Sequence, residues 1–175
     1  RLLGILESGS YRLRCVARNA DYLRPRCLPE TEIVSADIRD PDAVQAALVD
    51  KQVAFYLVDS GADPDSASDA DRLAARQFAS AAKDSGLERI IYLSGLDNRG
   101  YRSKHSIGQR EVGRILRGSG IPTIEFKSTV IIGSGSLTFE AIRSVVEVLP
   151  IIVSPRWMRT FVQPIAIEDV LEYLV

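Results

Sequence analysis

The sequence has little of the features that mark several specialised classes of protein. Its 175 residues hold only two cysteines, Cys15 and Cys27. Two cysteines cannot build the disulfide framework of a small secreted domain, so both are expected to be free thiols in a reducing compartment. The net charge of −1 lacks the basic excess that attracts nucleic acids or membrane surfaces. No apolar run is long enough to span a bilayer, and we expect a cytoplasmic protein without nucleic-acid or membrane partners.

Short apolar runs alternate with helical patterns along the whole chain. The patterns predict strands near 11–17, 31–38, 52–58, 89–95 and 122–132. They predict helices near 41–49, 67–85, 109–117 and 139–149, and from 168 onward. This alternation is typical of a parallel sheet with right-handed crossovers. We therefore predict one α/β domain over residues 1–175, a Rossmann-type doubly wound parallel sheet.

Glycine is scarce where a dinucleotide-binding sheet needs it. The first strand of such a sheet ends in a glycine-rich turn that holds the pyrophosphate against a helix N-terminus. Residues 2–6 are typical of the end of the first helix, and 11–17 of the second strand. We therefore expect the first strand and its turn to be absent from this chain, and the protein to continue past residue 175. The nearest glycine cluster, 133–136, lacks the later glycine of the motif.

Two charged residues follow predicted strands at positions suited to a dinucleotide. Arg18 comes just after the second strand of the expected sheet, where an arginine accommodates a 2′-phosphate and an acidic residue binds a ribose hydroxyl. The alternative is an ordinary surface arginine, as Arg12 and Arg14 are expected to be. Asp37, after the next strand, is suited to accept a hydrogen bond from the adenine amino group. Its alternative role is to form a turn or cap the next helix together with Asp40.

The sequence resembles the atypical short-chain dehydrogenases of the NmrA-like, NAD(P)H-binding family. No single stretch is decisive, but the order and spacing of several stretches agree with that family over nearly the whole chain. They are "RLRCVARN", "SADIRDPDAVQAAL", "VAFYLV", "AARQFASAAKDSGLERIIYLSGL", "REVGRILRGSGIPTIEF", "IIGSGS" and "PRWMRTFVQPIAIEDVLEYL". The resemblance implies a Rossmann-type sheet, bound NADP(H), with NAD as the other option, and a substrate cleft over the C-terminal half.

The resemblance also implies roles for individual residues. Arg18, with Asn19 beside it, falls on the 2′-phosphate position, and Asp37 with Ile38 falls on the adenine contact. Ser94 falls where active members carry a hydroxyl that polarises the substrate carbonyl, although a tight turn at the strand end is the alternative. A further loop falls on the cofactor-lining segment, and its residues are Val58, Asp59, Ser60 and Gly61.

The sequence departs from the family at the proton-transfer site. Active members carry a tyrosine and, four residues later, a lysine on one helical face. His105 and Gln109 occupy those positions here, while Tyr101 and Lys104 are only three residues apart. His105, the only histidine, is able to transfer a proton near neutral pH, or it is an ordinary helix residue. Gln109 can hydrogen-bond a ribose hydroxyl but carries no charge, so the standard reduction mechanism is in doubt.

A second aromatic and basic group lies near the C-terminus. Arg156 and Arg159 flank Trp157, the only tryptophan in the chain. Such a group can hold an anionic or flat substrate. The alternative is that Trp157 packs on the core.

These features predict an NADP-dependent oxidoreductase that transfers hydride to or from a small carbonyl or enone substrate. The rival hypothesis is a non-enzymatic module that binds NADP(H) and reports redox state to a regulatory partner. A third hypothesis is an epimerase or isomerase that keeps its cofactor bound. A homo-oligomer is compatible with each of the three.

Overall fold

Helices and strands alternate along the chain in the computed structural model, which describes residues 1–58, 67–96, 104–148 and 163–175. The strands are β1 (Arg14–Ala17), β2 (Glu32–Ser35), β3 (Val53–Tyr56), β4 (Arg89–Gly95), β5 (Thr123–Ser128), β6 (Val130–Ile132) and β7 (Pro164–Ala166). The helices are α1 (Leu2–Glu7), α2 (Ala20–Leu23), α3 (Pro41–Leu48), α4 (Ala67–Asp84), α5 (Lys104–Arg117), α6 (Leu137–Val148) and α7 (Ile167–Leu174). A 3₁₀ turn at Arg24–Arg26 follows α2. Within these described ranges, no helix combines the length and the apolar character needed to cross a membrane.

The chain divides into two compact units. The first contains Arg1–Ser94 and Ser103–Phe126, and the second contains Gly95–Arg102 and Lys127–Val175. The organisation as one domain stays a prediction. In the second unit, β6 pairs with β7 in parallel.

The first unit holds most of the predicted α/β architecture. β1 pairs with β2 in parallel, and Cys15 lies opposite Ile33. β3 pairs with β4 in parallel, and β4 lies between β3 and β5. In the described residues, the β1–β2 pair and the β3–β4–β5 group form separate hydrogen-bonded sheets. In a Rossmann sheet the first strand lies between the second and the fourth strand. In the predicted sheet, β1 is the second strand and β3 is the fourth.

Local sequence signals account for the boundaries of α3 and α4. The Asp40 carboxylate caps α3 by accepting hydrogen bonds from the Asp42 and Ala43 amides, and Pro41 occupies the first turn. The alanine-rich face of α4, with Phe78, is buried. Gly86 follows α4 with a φ of 76°, a conformation that favours glycine. These predicted boundaries are therefore confirmed.

The strand predicted at 122–132 is two strands in the structure. The break is at Thr129, whose hydroxyl donates to the Gln163 carbonyl oxygen over 2.7 Å and accepts from the Gln163 amide over 2.8 Å. These bonds tie the chain before β6 to the residue before β7. The single-strand prediction was wrong because a run of apolar residues does not reveal a change of pairing partner.

Three aromatic rings lie in the core of the first unit. Tyr56 makes edge contacts with Phe78 and Tyr92, with ring centroids 5.0 and 5.9 Å apart. Tyr56 is 2% exposed, and within the part of the chain that the structure describes its hydroxyl has no hydrogen-bond partner. Burial and the nearby Asp71 charge raise the pKa of this phenol. By contrast, the Tyr92 hydroxyl donates to the Gln109 carbonyl oxygen over 3.3 Å.

The two tyrosines therefore predict opposite results for the same substitution. Tyr56→Phe removes a buried group without a partner, so the free energy of unfolding is expected to stay equal or rise by about 1 kcal/mol. Tyr92→Phe removes a donor from the part-buried Gln109 carbonyl and is expected to lower the free energy of unfolding by about 1 kcal/mol. Urea unfolding of both variants checks the pair. A larger loss from Tyr56→Phe than from Tyr92→Phe would contradict the assignment.

Candidate nicotinamide cofactor site

The parallel pairing of β1 and β2 brings Arg18 and Asp37 to one edge of the sheet. The Ala36 amide donates to the Ala17 carbonyl oxygen over 3.1 Å, just past both strand ends. The Ser35 hydroxyl donates to the Arg18 carbonyl oxygen over 3.2 Å. The Arg18 charge contributes to lowering the pKa of Asp37. The two predicted cofactor contacts therefore lie near each other at the carboxyl ends of their strands, where open α/β sheets bind ligands.

Asn19 holds the chain immediately after Arg18. Its side-chain oxygen accepts hydrogen bonds from the Asp21 and Tyr22 amides, at 3.2 and 3.4 Å, and so caps α2. Arg26 stacks over the Tyr22 ring, with its guanidinium carbon 3.7 Å from the ring centroid. The Asn19 side chain thus has a structural task at this edge, which is to cap α2.

The Asp37 carboxylate is held by Arg39, a residue that sequence reasoning missed. The Arg39 guanidinium binds both carboxylate oxygens at 2.5–3.1 Å, and the Arg39 amide donates over 2.9 Å. These hydrogen bonds hold the pKa of Asp37 well below its usual range. Asp40 alone caps α3, and Asp37 forms the turn before it. The spacing of Asp37 and Arg39 in "DIRD" was the signal that could have predicted the pair.

Removing Arg39 tests this account of the Asp37 carboxyl. In Arg39→Ala the carboxylate loses its largest source of stabilisation, so its pKa is expected to rise toward the ordinary value of 3.8. A carbon-detected NMR titration of the side-chain carboxyl measures the change. Arg24→Ala, which removes the partner of Asp21, provides a control that should leave Asp37 unchanged. An Asp37 pKa that is equal in Arg39→Ala and the parent protein would exclude the pairing.

The structure describes only some of the other predicted cofactor contacts. Ile38 is half-buried and packs against the core of the first unit. Val58, 38% exposed, follows β3. Asp59, Ser60 and Gly61 lie outside the described residues.

Ser94, at the end of β4, is buried rather than open to solvent. It is 6% exposed, and its hydroxyl donates to the Glu125 carboxylate over 3.0 Å. The Glu125 side chain, 8% exposed, also forms an ion pair with Arg117. Gly113 leaves room for this carboxylate, because a Cβ at that position would lie 2.7 Å from Glu125 Oε1. Sequence reasoning missed Glu125, although an acidic residue within the strand "TIEF" was a visible signal.

Helix α5 carries both residues that the sequence comparison predicts at the positions of the tyrosine and lysine pair. It begins at Lys104, five residues before the predicted start, so His105 and Gln109 lie on the same helix. Their spacing of four puts them on one helical face. Gln109 is half-buried, whereas the His105 side chain lies outside the described residues. Tyr101, Arg156, Trp157 and Arg159 also lie outside them.

Comparison with known proteins identifies the family. The sequence profile of an NAD(P)H-binding family matches residues 2–118. The chain belongs to this NAD(P)H-binding family. The resemblance is therefore confirmed at the family level, and a nicotinamide dinucleotide is the cofactor class that the family match supports. No match was found among curated proteins.

Solved structures confirm the Rossmann-type fold of this NAD(P)H-binding chain. The Bordetella bronchiseptica enzyme WbmG in complex with NAD has a TM-score of 0.78 and 11% identity over 99% of this chain and 62% of its own. The enzyme WbmH of the same organism, in complex with NAD+, has a TM-score of 0.74 and 14% identity over 99% of this chain and 65% of its own. A triphenylmethane reductase from Citrobacter sp. has a TM-score of 0.66 and 14% identity, covering 83% of this chain and 50% of its own. The chain thus spans less than two thirds of the length of these structures.

Proposed function

We propose that the protein binds NADP(H) and acts as an oxidoreductase of the atypical, NmrA-like short-chain type. The observation that supports a phosphorylated cofactor, NADP(H) rather than NAD(H), is the position of Arg18. It is exposed just past the end of β1, where NAD-binding sheets place an acidic residue. Among the described residues, the Arg18 guanidinium has no hydrogen-bond partner of its own, so it is available to a 2′-phosphate.

Arg39 adds a second cation to this edge of the sheet. Its side chain is 53% exposed and is paired with Asp37, whose side chain is 36% exposed. Arginine binds phosphate through two parallel hydrogen bonds, and such charge-assisted bonds are stronger than neutral ones. We propose that Arg18 makes the main contact with the 2′-phosphate, and that Asp37 with Ile38 borders the adenine.

The proposed chemistry is hydride transfer to or from a small carbonyl or enone substrate. The nicotinamide, when bound, supplies or accepts the hydride. His105 is proposed to hold or move the proton, and Gln109 to bind a ribose hydroxyl from the same face of α5. The role that we propose for Ser94 differs from the predicted one. Because its hydroxyl donates to the buried Glu125 carboxylate, we propose that Ser94 supports the end of β4 rather than polarising the substrate.

The second candidate function is a non-enzymatic NADP(H)-binding module. It is favoured by Gln109, which stands in place of the charged lysine of active family members. Such a module would bind the two redox states with different affinities and report the difference to a regulatory protein. We propose a cytoplasmic location for either function, with a small-molecule substrate for the enzyme and assembly as a homo-oligomer.

Calorimetry with NADPH and NADH on the full-length protein tests the cofactor assignment. We expect tighter binding of NADPH, and a panel of carbonyl compounds then tests turnover. A lower rate of NADPH oxidation in His105→Ala than in the parent protein supports the oxidoreductase hypothesis. An unchanged rate removes His105 from the mechanism. Cofactor binding without turnover supports the module. Nicotinamide that copurifies and is never consumed supports an epimerase. Binding of neither nucleotide would overturn the proposal.

A further inference from the structure

A buried carboxylate joins three elements of the first unit. Glu125 lies in β5, and its side chain is 8% exposed. Its Oε1 atom accepts a hydrogen bond from the Ser94 hydroxyl of β4 over 3.0 Å. Its Oε2 atom forms an ion pair with Arg117 of α5. One side chain therefore contacts both neighbouring strands and the helix that packs on them.

Helix α5 approaches this carboxylate closely because Gly113 has no side chain. A Cβ at Gly113 would lie 2.7 Å from Oε1 and 3.1 Å from Oε2 of Glu125, too close for either atom to stay in place. Gln109, Gly113 and Arg117 follow one another every four residues, so they lie along one strip of α5. The contact with Glu125 thus lies one helical turn beyond Gln109, on the same strip of the helix.

A second contact from β4 reaches α5 at Gln109 itself. Tyr92 and Ser94 are two residues apart in β4, so their side chains lie on the same face of the sheet. The Tyr92 hydroxyl donates to the Gln109 carbonyl oxygen over 3.3 Å. The strands β4 and β5 therefore hold α5 at two successive turns, and the position of Gln109 depends on both contacts.

The Glu125 charge is poorly suited to adding stability. Taking a carboxylate out of water carries a large desolvation cost, and well-packed apolar residues in place of a buried ion pair are often equally or more stabilising. Charge-assisted hydrogen bonds on both carboxylate oxygens do, however, fix the directions of their partners, which an apolar contact does not. The arrangement around Glu125 is therefore better suited to setting the position of α5 than to stabilising the fold.

We propose that Glu125 is a positioning residue, which sets the place of α5 on β4 and β5 so that Gln109 meets the ribose at the nicotinamide end of the cofactor. This inference rests on the proposed function, in which Gln109 binds a ribose hydroxyl. Glu125 itself touches neither cofactor nor substrate and acts through α5. Its loss weakens the contacts of the nicotinamide end and leaves those of the adenosine end, where Arg18 is proposed to bind, unchanged.

Two ligands separate the two ends of the cofactor. NADPH carries both ends, whereas adenosine 2′,5′-bisphosphate carries the phosphorylated adenosine end alone. Glu125→Gln keeps the size of the side chain and removes its charge. In this variant of the full-length protein we expect NADPH to bind about tenfold more weakly, which is the effect of one hydrogen bond. The affinity for the bisphosphate should stay within about twofold, because distant sites are energetically independent. Calorimetry measures both affinities.

Gly113→Ala disturbs the same contact from the helix side. The added Cβ pushes against the Glu125 carboxylate, while alanine is a better helix former than glycine and so favours α5 itself. We expect the same selective loss of NADPH affinity. Glu111→Gln is the matched control, because it removes the same charge from α5 but breaks the ion pair with Arg72 of α4. Both of its affinities should equal those of the parent protein, and thermal unfolding shows that each variant folds.

Failure of the positioning role is distinguishable from failure of the proposed function. A parent protein that does not bind NADPH would overturn the proposed function and this inference with it. If the parent protein binds both ligands, equal losses of both in Glu125→Gln, or no loss of either, would overturn the positioning role and leave the proposed function standing. Should Glu125→Gln fail to fold, Gly113→Ala decides by the same comparison.

Discussion

Replacing Arg18 with alanine is expected to weaken NADPH binding by about 10- to 100-fold and to leave NADH binding within about twofold. A hydrogen bond to a charged group contributes about 1.5–3 kcal/mol, which corresponds to a loss of this size. NADH lacks the 2′-phosphate, so the loss should be specific to NADPH. Calorimetry of the full-length protein with both nucleotides measures the ratio of the two affinities, which is the quantity that Arg18 is proposed to set.

Arg12→Ala is the matched control for this experiment. Arg12 is also exposed, lies before β1 rather than after it, and its removal changes the net charge by the same amount. Any general effect of lost positive charge would therefore appear in both variants. Rising salt should reduce the difference between the parent protein and Arg18→Ala, because screening weakens an exposed charge contact. An equal loss of NADPH and NADH affinity would exclude a phosphate role for Arg18.

The fold was largely predictable because its elements depend on local signals. The cap at Asp40 with Pro41, the apolar face of α4 and the stop at Gly86 are each specified within a few residues. These signals operate before any tertiary contact forms, so periodicity and capping rules locate them. The break at Thr129 depends on Gln163, which lies far along the chain. No local pattern carries that information.

The candidate site was less predictable, because side-chain partners decide what each residue can do. The sequence placed Arg18 and Asp37 after neighbouring strands, and parallel pairing was enough to infer that they share an edge. The competition between Arg39 and other partners for Asp37 needed side-chain geometry. Ser94 shows the same limit. The alternation of residues along a strand predicts which side chains share a face of the sheet, but it does not predict that the Ser94 hydroxyl donates to the buried Glu125 carboxylate.

Arg14 differs from the surface arginine that the sequence predicted, because it caps the end of a neighbouring helix. One guanidinium nitrogen donates to the carbonyl oxygens of Ala46, Ala47 and Val49 at 3.3, 2.9 and 3.0 Å, at the C-terminus of α3. Another nitrogen bonds the Glu32 carboxylate at 2.7 Å across the β1–β2 pair. The side chain is only 15% exposed. A cation at a helix C-terminus also interacts favourably with the helix dipole.

Arg14→Ala is therefore expected to lower the free energy of unfolding by about 2–3 kcal/mol. Arg14→Lys keeps the charge but not the fork of donors, so an intermediate loss is expected. Arg12→Ala, which removes an exposed arginine two residues earlier, should change stability by less than about 0.5 kcal/mol. Urea unfolding measures all three. A loss in Arg14→Ala no larger than in Arg12→Ala would show that the cap contributes nothing.

The pH dependence of stability offers a second test of the same contact. The Arg14 hydrogen bond lowers the pKa of Glu32 below its ordinary value of 4.5. A carboxyl whose pKa is lower in the folded state stabilises the fold above its unfolded pKa, and that contribution is lost as the pH falls through the folded value. In Arg14→Ala the main cause of the shift is gone. The difference in the free energy of unfolding between the parent protein and Arg14→Ala should therefore shrink as the pH is lowered below about 4.5. A difference that stays constant would show that the stabilising effect of Arg14 does not depend on its bond to Glu32.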